Sequence, residues 1–269
     1  MIYIFGSTGM LGTYVKKILS DTFDITHITR KEYDILNDEW SKLNKLSSNL
    51  NKNDVIINCA GIIPQKTSNN EFKKYIKINT LFPHKLQHIA EKKNANFIHI
   101  TTDCVFDGKK GYYNELDIHT ETNIYGTTKS LGEPKNATVI RTSIIGEELR
   151  GKKSLLEWVK SNKNKTINGY DNHLWNGVTC LQLAYIINKM IINKLFWKGV
   201  KHIYSPNIVS KYDLCCYIST EFDLNIQVNK SSGPENINKS LTSIYKIEDD
   251  FTIPDILTQI KNLNNNKLY

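Results

Sequence analysis

Four kinds of side chain in one stretch of this sequence could serve proton transfer to or from a carbonyl oxygen. The stretch runs from Phe97 to Lys129, FIHITTDCVFDGKKGYYNELDIHTETNIYGTTK. Hydroxyls at Thr101 and Thr102 and a thiol at Cys104 follow an apolar run, and Tyr125 and Lys129 stand at positions i and i+4. On a helix, that spacing stacks phenol and ammonium on one face. The ammonium favours the phenolate, so it is expected to lower the phenol from its ordinary value of about 10. A hydroxyl beside the pair would share a carbonyl oxygen as that oxygen gains charge. Tyr-x-x-x-Lys alone equally describes a surface tyrosine and a solvated lysine. The chemistry therefore needs a hydride donor elsewhere in the chain.

The elements that must position these groups can be read outward from them. Phe97–Ile100 is a buried strand delivering the hydroxyls, and a polar, glycine-containing loop leads to the helix with Tyr125 and Lys129. At the N-terminus, the apolar run Met1–Phe5 meets Gly6-Ser-Thr-Gly9-Met-Leu-Gly12 and then an amphipathic run over 10–19. Strand, glycine turn and helix is the context in which G-x-x-G-x-x-G binds a dinucleotide. Gly6 permits the tight turn, Gly9 lets the backbone approach a pyrophosphate, and Gly12 allows close helix–strand packing. The second strand, Asp24–Thr29, ends in Arg30-Lys31. An acid at that tip would take a ribose 2′-hydroxyl, whereas arginine suits a 2′-phosphate. NADPH is therefore expected over NADH, with Asp34 and Ile35 beside the adenine. A continuously apolar strand, Asp54–Asn58, runs into Cys59-Ala60-Gly61, small residues that leave a cofactor room to pass.

Further elements are expected as follows: a helix over 40–50, a helix over 71–93 broken near Asn79 and Pro83 with His84 and His88 solvated, and a strand over 138–145. A charged loop at 147–153 precedes a helix over 154–160, and 168–177 (NGYDNHLWNG) reads as a polar, aromatic loop. Helices over 179–192, 212–222 and 255–263, a strand over 201–204 and a frayed polar tail complete the chain. Strand–helix alternation dominates the first half and loosens in the second. An α/β fold follows, with a doubly wound parallel sheet and a smaller C-terminal lobe.

Composition excludes more than it assigns. With 269 residues, 40% hydrophobic and 23% charged, the chain suits one large α/β domain, or a domain and a smaller lobe. No apolar run reaches the ~18 residues of a membrane helix, and the chain enters a strand at once without a signal peptide, so a cytoplasmic enzyme is expected. Five cysteines (59, 104, 180, 215, 216) are scattered without metal-ligand spacing, so neither a disulfide framework nor a metal is expected; Cys215 and Cys216 read as core. The net charge of +8 is spread along the chain, which fits anionic small molecules better than nucleic acid.

These motifs resemble a family. GSTGMLG, NCAG, Asn79 in INTLFPH, TTDCVFDG and YGTTK are similar to the extended short-chain dehydrogenase/reductases. HITTDCVFDGKKGYYNE, YGTTKSLGE and IRTSIIG resemble their dTDP-4-dehydrorhamnose reductase branch. RTSIIGEEL, SLLEW and NGVTCLQLA look closer to UDP-2-acetamido-2,6-dideoxyhexos-4-ulose reductases. The likeness covers residues 1 to about 206; beyond it, Lys239-Ser-Leu241 is the hint of a shared motif. It implies a Rossmann-type NADP-binding domain over 1–148, with a segment returning at about 178–206. Residues 149–177 and 207–269 would form the substrate-binding lobe.

Carried over, Tyr125, Lys129 and Thr102 match the catalytic triad, with Thr101 competing for the hydroxyl's place. The implied cofactor residues are Gly6, Thr8, Gly9, Met10, Leu11 and Gly12, then Arg30, Lys31, Asp34 and Ile35, with Cys59, Ala60, Gly61 and Asn79 beside Tyr125 and Lys129 themselves. Thr102, Asp103, Cys104, Val105, Lys153 and Trp175 would meet a UDP- or dTDP-linked 4-keto-6-deoxyhexose. Cys104 departs from the branch, which carries tyrosine there. Cysteine at this place resembles GDP-fucose synthase, where it is a base in epimerisation, and Lys152, Lys153 or His173 could then supply the acid. A small buried hydrophobe is the other account of it. The resemblance also extends to the regulatory subunit of methionine adenosyltransferase, a nucleotide-binding relative without turnover. Members are monomers or homodimers.

Overall fold

The computed structural model describes residues 1–67, 71–149 and 151–268. Strand β1 (Ile2–Phe5) is buried throughout and leads through the glycine turn into α1 (Met10–Leu19), whose Leu11, Tyr14, Val15 and Leu19 face inward. β2 (Ile25–Ile28), α2 (Trp40–Leu46) and β3 (Val55–Asn58) follow. The helix expected over 71–93 is not interrupted. α3 (Phe72–Tyr75) passes through a π-helical stretch, Ile76–Leu81, into α4 (Phe82–Lys93), with Pro83 in the first turn of α4. The widened turn carries Asn79 into the interior, 1% exposed. Such turns disturb the hydrogen-bond ladder and cluster at functional sites.

β4 (Asn96–Thr102), α5 (Ile124–Leu131) and β5 (Thr138–Thr142) complete the first half. The second half alternates short strands with helices: β6 (Ile144–Ile145), α6 (Leu155–Lys160), β7 (Thr166–Tyr170), β8 (His173–Trp175), β9 (Val178–Thr179), α7 (Cys180–Ile192) and β10 (Gly199–His202). β11 (Val209–Ser210), α8 (Lys211–Glu221), β12 (Gln227–Ser231), β13 (Ile237–Asn238), α9 (Ile247–Asp250) and α10 (Ile256–Asn265) end it. Among the described residues, no helix is long and apolar enough to cross a membrane.

Six strands form one parallel sheet in the order β2-β1-β3-β4-β5-β10. The chain steps outward from β1 to β2 and then crosses to β3 on the other side. That reversal opens a crevice at the carboxyl ends of β1 and β3, where ligands of open α/β sheets bind. Both sheet faces are covered. Ile4, Ile57, Ile98 and Ile140 pack under α1 and α7, and Phe5, Ile56, Phe82 and Leu86 form the opposite layer. The first cluster continues into α6, α8 and α10 through Val159, Leu214, Ile218 and Ile260, so the C-terminal lobe rests on the same apolar body. Its strands form separate small sheets, β11-β8-β13 and β12-β7.

Two further expectations fail here. Residues 168–177 are not a loop, because they contain the end of β7 and all of β8. β7 buries only Ile167 and Gly169, so its inward face carried almost no apolar signal. A Cβ on Gly169 would lie 2.6 Å from the Tyr212 Cα, so the glycine lets α8 approach the strand. The tail is docked rather than frayed. The Leu268 amide donates to the buried Glu147 carboxylate at 3.1 Å, and the Lys17 ammonium donates to the Lys267 carbonyl at 3.0 Å. Arg150, in the charged loop, lies outside the described residues.

Candidate active site

The crevice is built by backbones that touch. Gly6 has φ 75, and a Cβ there would lie 2.6 Å from the Ala60 amide nitrogen on the facing loop. A Cβ on Gly12 would lie 2.1 Å from the Gly6 carbonyl oxygen. No side chain caps α1, whereas Asn123, Ser154, Thr179, Ser210 and Asp255 cap α5, α6, α7, α8 and α10. The first amides of α1, from Met10 and Leu11 onward, are therefore free for an anion, and the helix dipole favours one there. Thr8 is exposed at the mouth of this turn.

At the tip of β2, Arg30 and Lys31 are exposed. Glu32, an acid that the strand-tip reading passed over, is folded back to accept the Thr29 amide at 2.8 Å. Asp34 accepts the Leu36 amide at 2.9 Å and the Asn37 side-chain amide at 2.8 Å. Burial raises its carboxyl, but these hydrogen bonds outweigh that and hold it below the usual range. It is thus committed to its own turn, with half-buried Ile35 inside it. The turn after β3 is fixed by buried amides. The Asn58 Oδ1 accepts the Ala60 amide at 3.0 Å while its Nδ2 meets His99 Nδ1 at 3.1 Å. Asn79 accepts the Ile62 amide at 3.0 Å and donates to the Ile62 carbonyl at 3.1 Å. A third, longer bond from its Nδ2 reaches the Thr128 hydroxyl at 3.4 Å, so Asn79 shapes the loop beyond Cys59 and Gly61 and ties it to α5.

The proton-transfer groups lie together at the end of β4. Thr102 Oγ1 accepts the Cys104 amide at 3.1 Å and donates to Asp103 Oδ1 at 3.1 Å, and it lies near enough to Tyr125 to influence the phenol. Thr101 is also buried, but its hydroxyl has no partner among the described residues, so the geometry favours Thr102. Asn123 caps α5 by accepting the Gly126 amide at 2.8 Å. A Cβ on Gly126 would lie 2.4 Å from the Cys104 carbonyl oxygen. The glycine between Tyr125 and Lys129 therefore lets this helix press onto the loop after β4. Lys129 is buried and donates to the Ile100 carbonyl at 2.9 Å.

The electrostatics differ from the expected ones. Burial pushes the Tyr125 phenol up, and the charges of Cys104 and Asp103 add to this, against the Thr102 hydroxyl. The lysine does not reverse the shift, because its ammonium is directed at Ile100. Burial also lowers Lys129, to about 8, against the pull of Glu133. The half-buried Cys104 thiol is pushed up to about 12, by burial first and then by Asp103. Burial likewise raises the Asp103 carboxyl, against Lys239 and Lys211.

The remaining expected substrate residues separate. Val105 is fully buried with Phe106, Tyr113 and Leu241, so its side chain supports the loop instead of lining the cleft. Trp175 is 3% exposed, under the Lys211 ammonium at 5.5 Å. Lys153 is exposed and donates to the Gln65 carbonyl at 2.9 Å, and the His173 ring packs against Tyr170 at 4.7 Å. The cations whose charge reaches Asp103 are instead Lys239, 3.5 Å from Glu121, and Lys211. No pattern marked Lys211, since it arrives from α8 only through tertiary packing. Behind the loop, Arg141 on β5 is 2% exposed and donates to Glu133 at 2.6 Å, His119 at 2.7 Å and His202 at 2.8 Å.

A doubly wound sheet with an uncapped glycine turn at its switch point, facing a Thr–Tyr–Lys cluster, defines a dinucleotide-fold protein of the dehydrogenase type. The chain belongs to the RmlD substrate binding domain family, whose profile matches residues 1–247. It is 28% identical to a dTDP-4-dehydrorhamnose reductase of Aggregatibacter actinomycetemcomitans over 237 residues, 82% of this chain and 78% of the relative. It is 26% identical to methionine adenosyltransferase 2 subunit beta of Pongo abelii, over 83% of this chain and 72% of that one. Its fold matches dTDP-4-dehydrorhamnose reductase of Bacillus anthracis, solved with NADP, at a TM-score of 0.82 and 20% identity, covering 97% of each chain.

Proposed function

We propose that this protein reduces the 4-keto group of a UDP- or dTDP-linked 4-keto-6-deoxyhexose with NADPH. The observation that carries the reading is buried Lys129, one helical turn from Tyr125 and bonded to the Ile100 carbonyl on the strand that ends in Thr102, in a chain whose first helix opens on an uncapped glycine turn. The amides that open α1 would hold the pyrophosphate, Arg30 and Lys31 the adenosine phosphate, and Lys129 the nicotinamide ribose. The cofactor, when bound, supplies a hydride to the carbonyl carbon. Thr102 and Tyr125 donate hydrogen bonds to the carbonyl oxygen, and Tyr125 gives up its proton as that oxygen becomes an alkoxide. A phenol raised by burial is protonated at neutral pH, which is the form that reduction requires. Asn79 keeps the loop after β3 in shape, and Lys153 ties that loop to the segment before α6.

We favour reduction without epimerisation, because a base must be deprotonated to act and burial pushes the Cys104 thiol up to about 12. Solvent deuterium appearing in the sugar ring beside the ketone, and lost in Cys104→Ser, would reverse this assignment. The second reading is a regulatory subunit, favoured by the likeness to the methionine adenosyltransferase subunit. The deciding experiment supplies NADPH with dTDP- and UDP-linked products of a 4,6-dehydratase and follows the nicotinamide absorbance. Turnover that disappears in Tyr125→Phe supports the reductase. Absence of turnover, with stable co-purification of a synthetase, supports the subunit.

A further inference from the structure

Lys211 is used by no step of the reductase reading. It is the first residue of α8, directly after Ser210, which caps the helix and exchanges hydrogen bonds with Asp213. β11 pairs with β8 so that Val209 faces Trp175 and Ser210 faces Leu174. This register places the lysine over the buried indole, with its ammonium 5.5 Å from the ring centroid. The side chain is half-buried, and its charge and that of Asp103 feel one another.

The ammonium has three donors. Among the described residues it makes no hydrogen bond and no ion pair; the Trp175 ring face is its partner. Other cations around the cleft are occupied: Lys239 with Glu121 at 3.5 Å, Lys153 with the Gln65 carbonyl at 2.9 Å, and Lys129 with the Ile100 carbonyl at 2.9 Å. Asp103, the acid that Lys211 faces, is engaged by Thr102 and Ser143. An ammonium drawn out of water without an acceptor is costly, and an aromatic face offsets only part of that cost. The missing acceptor must enter from the cleft, where Asp103 and Cys104 continue directly from Thr102.

We infer that Lys211 is a specificity residue for the sugar, donating hydrogen bonds to an oxygen substituent on the ring whose carbonyl Thr102 and Tyr125 hold. This inference rests on the nucleotide-sugar reading above. The ligand chemistry is an acceptor oxygen, whether a hydroxyl or the carbonyl of an acetamido group. Trp175 is then a positioning residue, the platform that fixes the lysine stem.

The test compares the wild type with Lys211→Met and Lys211→Arg. NADPH oxidation is measured with dTDP-4-keto-6-deoxyglucose, its UDP-linked 2-acetamido counterpart and a 2-deoxy analogue. Loss of a hydrogen bond to a charged group raises KM by roughly 10- to 100-fold, so Lys211→Met should do this with kcat within about threefold. Lys211→Arg should recover most of the loss, and stabilisation by NADPH in a thermal shift should not change. Loss with the acetamido sugar alone identifies that carbonyl as the acceptor, loss with the two C2-substituted sugars but not the 2-deoxy analogue identifies a C2 oxygen, and equal loss with all three identifies a hydroxyl elsewhere on the ring. An unchanged KM, or a loss that Lys211→Arg does not recover, overturns the proposal. Thermal shifts with dTDP-glucose and UDP-N-acetylglucosamine separate the two readings. Stabilisation of the wild type but not of Lys211→Met, without any turnover, supports Lys211 and overturns reduction. No stabilisation of the wild type by either sugar overturns both.

Discussion

The two lobes fix their polar groups by different means. In the N-terminal half, several groups are held by neighbours close in sequence: Thr102 by Asp103 and Cys104, Gly126 by Asn123, and the Gly9 amide by the Gly6 carbonyl at 2.9 Å. In the C-terminal lobe, the groups facing the cleft come from short strands far apart in sequence. Trp175 and Lys211 meet through a two-residue pairing, and the Lys239 amide reaches the Leu174 carbonyl at 3.1 Å. A local device tolerates change elsewhere in the chain, whereas a pairing of distant segments transmits it.

The comparison can be broken at several points. The largest effect is expected in Tyr125→Phe, which should cut turnover by about 10²- to 10⁴-fold while stabilisation by NADPH in a thermal shift is kept. Parallel loss of both would mean that α5 is a structural support of the cofactor crevice. Gly12→Ala comes next. Its new Cβ would lie 2.1 Å from the Gly6 carbonyl, a backbone atom that cannot swing away. Overpacking of this kind costs about 1–3 kcal/mol, read as a lower urea midpoint, with NADPH binding weakened as well. Arg30→Ala should narrow the preference for NADPH over NADH by roughly tenfold or more, the worth of a hydrogen bond to a charged phosphate. An unchanged ratio of KM values would show that the β2 tip does not read the 2′-phosphate.

A separate effect on stability is expected from acid. His202 is lowered from its ordinary 6.5 to about 4, by burial first and then by Arg141. The folded state therefore stabilises the neutral ring and binds fewer protons than the unfolded chain between those values. Its contribution is complete above pH 6.5 and falls as the pH drops towards 4, with a slope of at most about 1.4 kcal/mol per pH unit. Urea midpoints across that range test it, and His202→Gln should flatten the profile. The smallest effect is reserved for Cys104→Ser, which should leave reduction within about threefold, since a protonated thiol gives up little when replaced by a hydroxyl.

Much of the first lobe was legible because its signals are local. A buried parallel strand reads as a continuous apolar run, so β1, β3, β4 and β5 were found close to their bounds. Glycines at positions 6, 9 and 12 marked the turn, and the i, i+4 spacing marked the face of α5. β7 was missed because a strand that buries one isoleucine and one glycine has no apolar alternation to detect. The docked tail was missed because its anchor is the Leu268 amide, a group that every residue carries. Gly126 was read as part of a motif, but its reason, contact with the Cys104 carbonyl, belongs to another element.

The sequence by itself determined the parallel strands, the glycine turn and the one-turn spacing of Tyr125 and Lys129, since periodicity and short spacings are properties of neighbouring residues. Only the tertiary structure decided their protonation and their company. Burial sets the Tyr125, Lys129 and Cys104 values, and burial is a sum over segments that the chain brings together from both halves. Lys211 is the clearest case: nothing beside it in the sequence marks it, and the pairing of β11 with β8 alone carries it to Trp175 and the cleft.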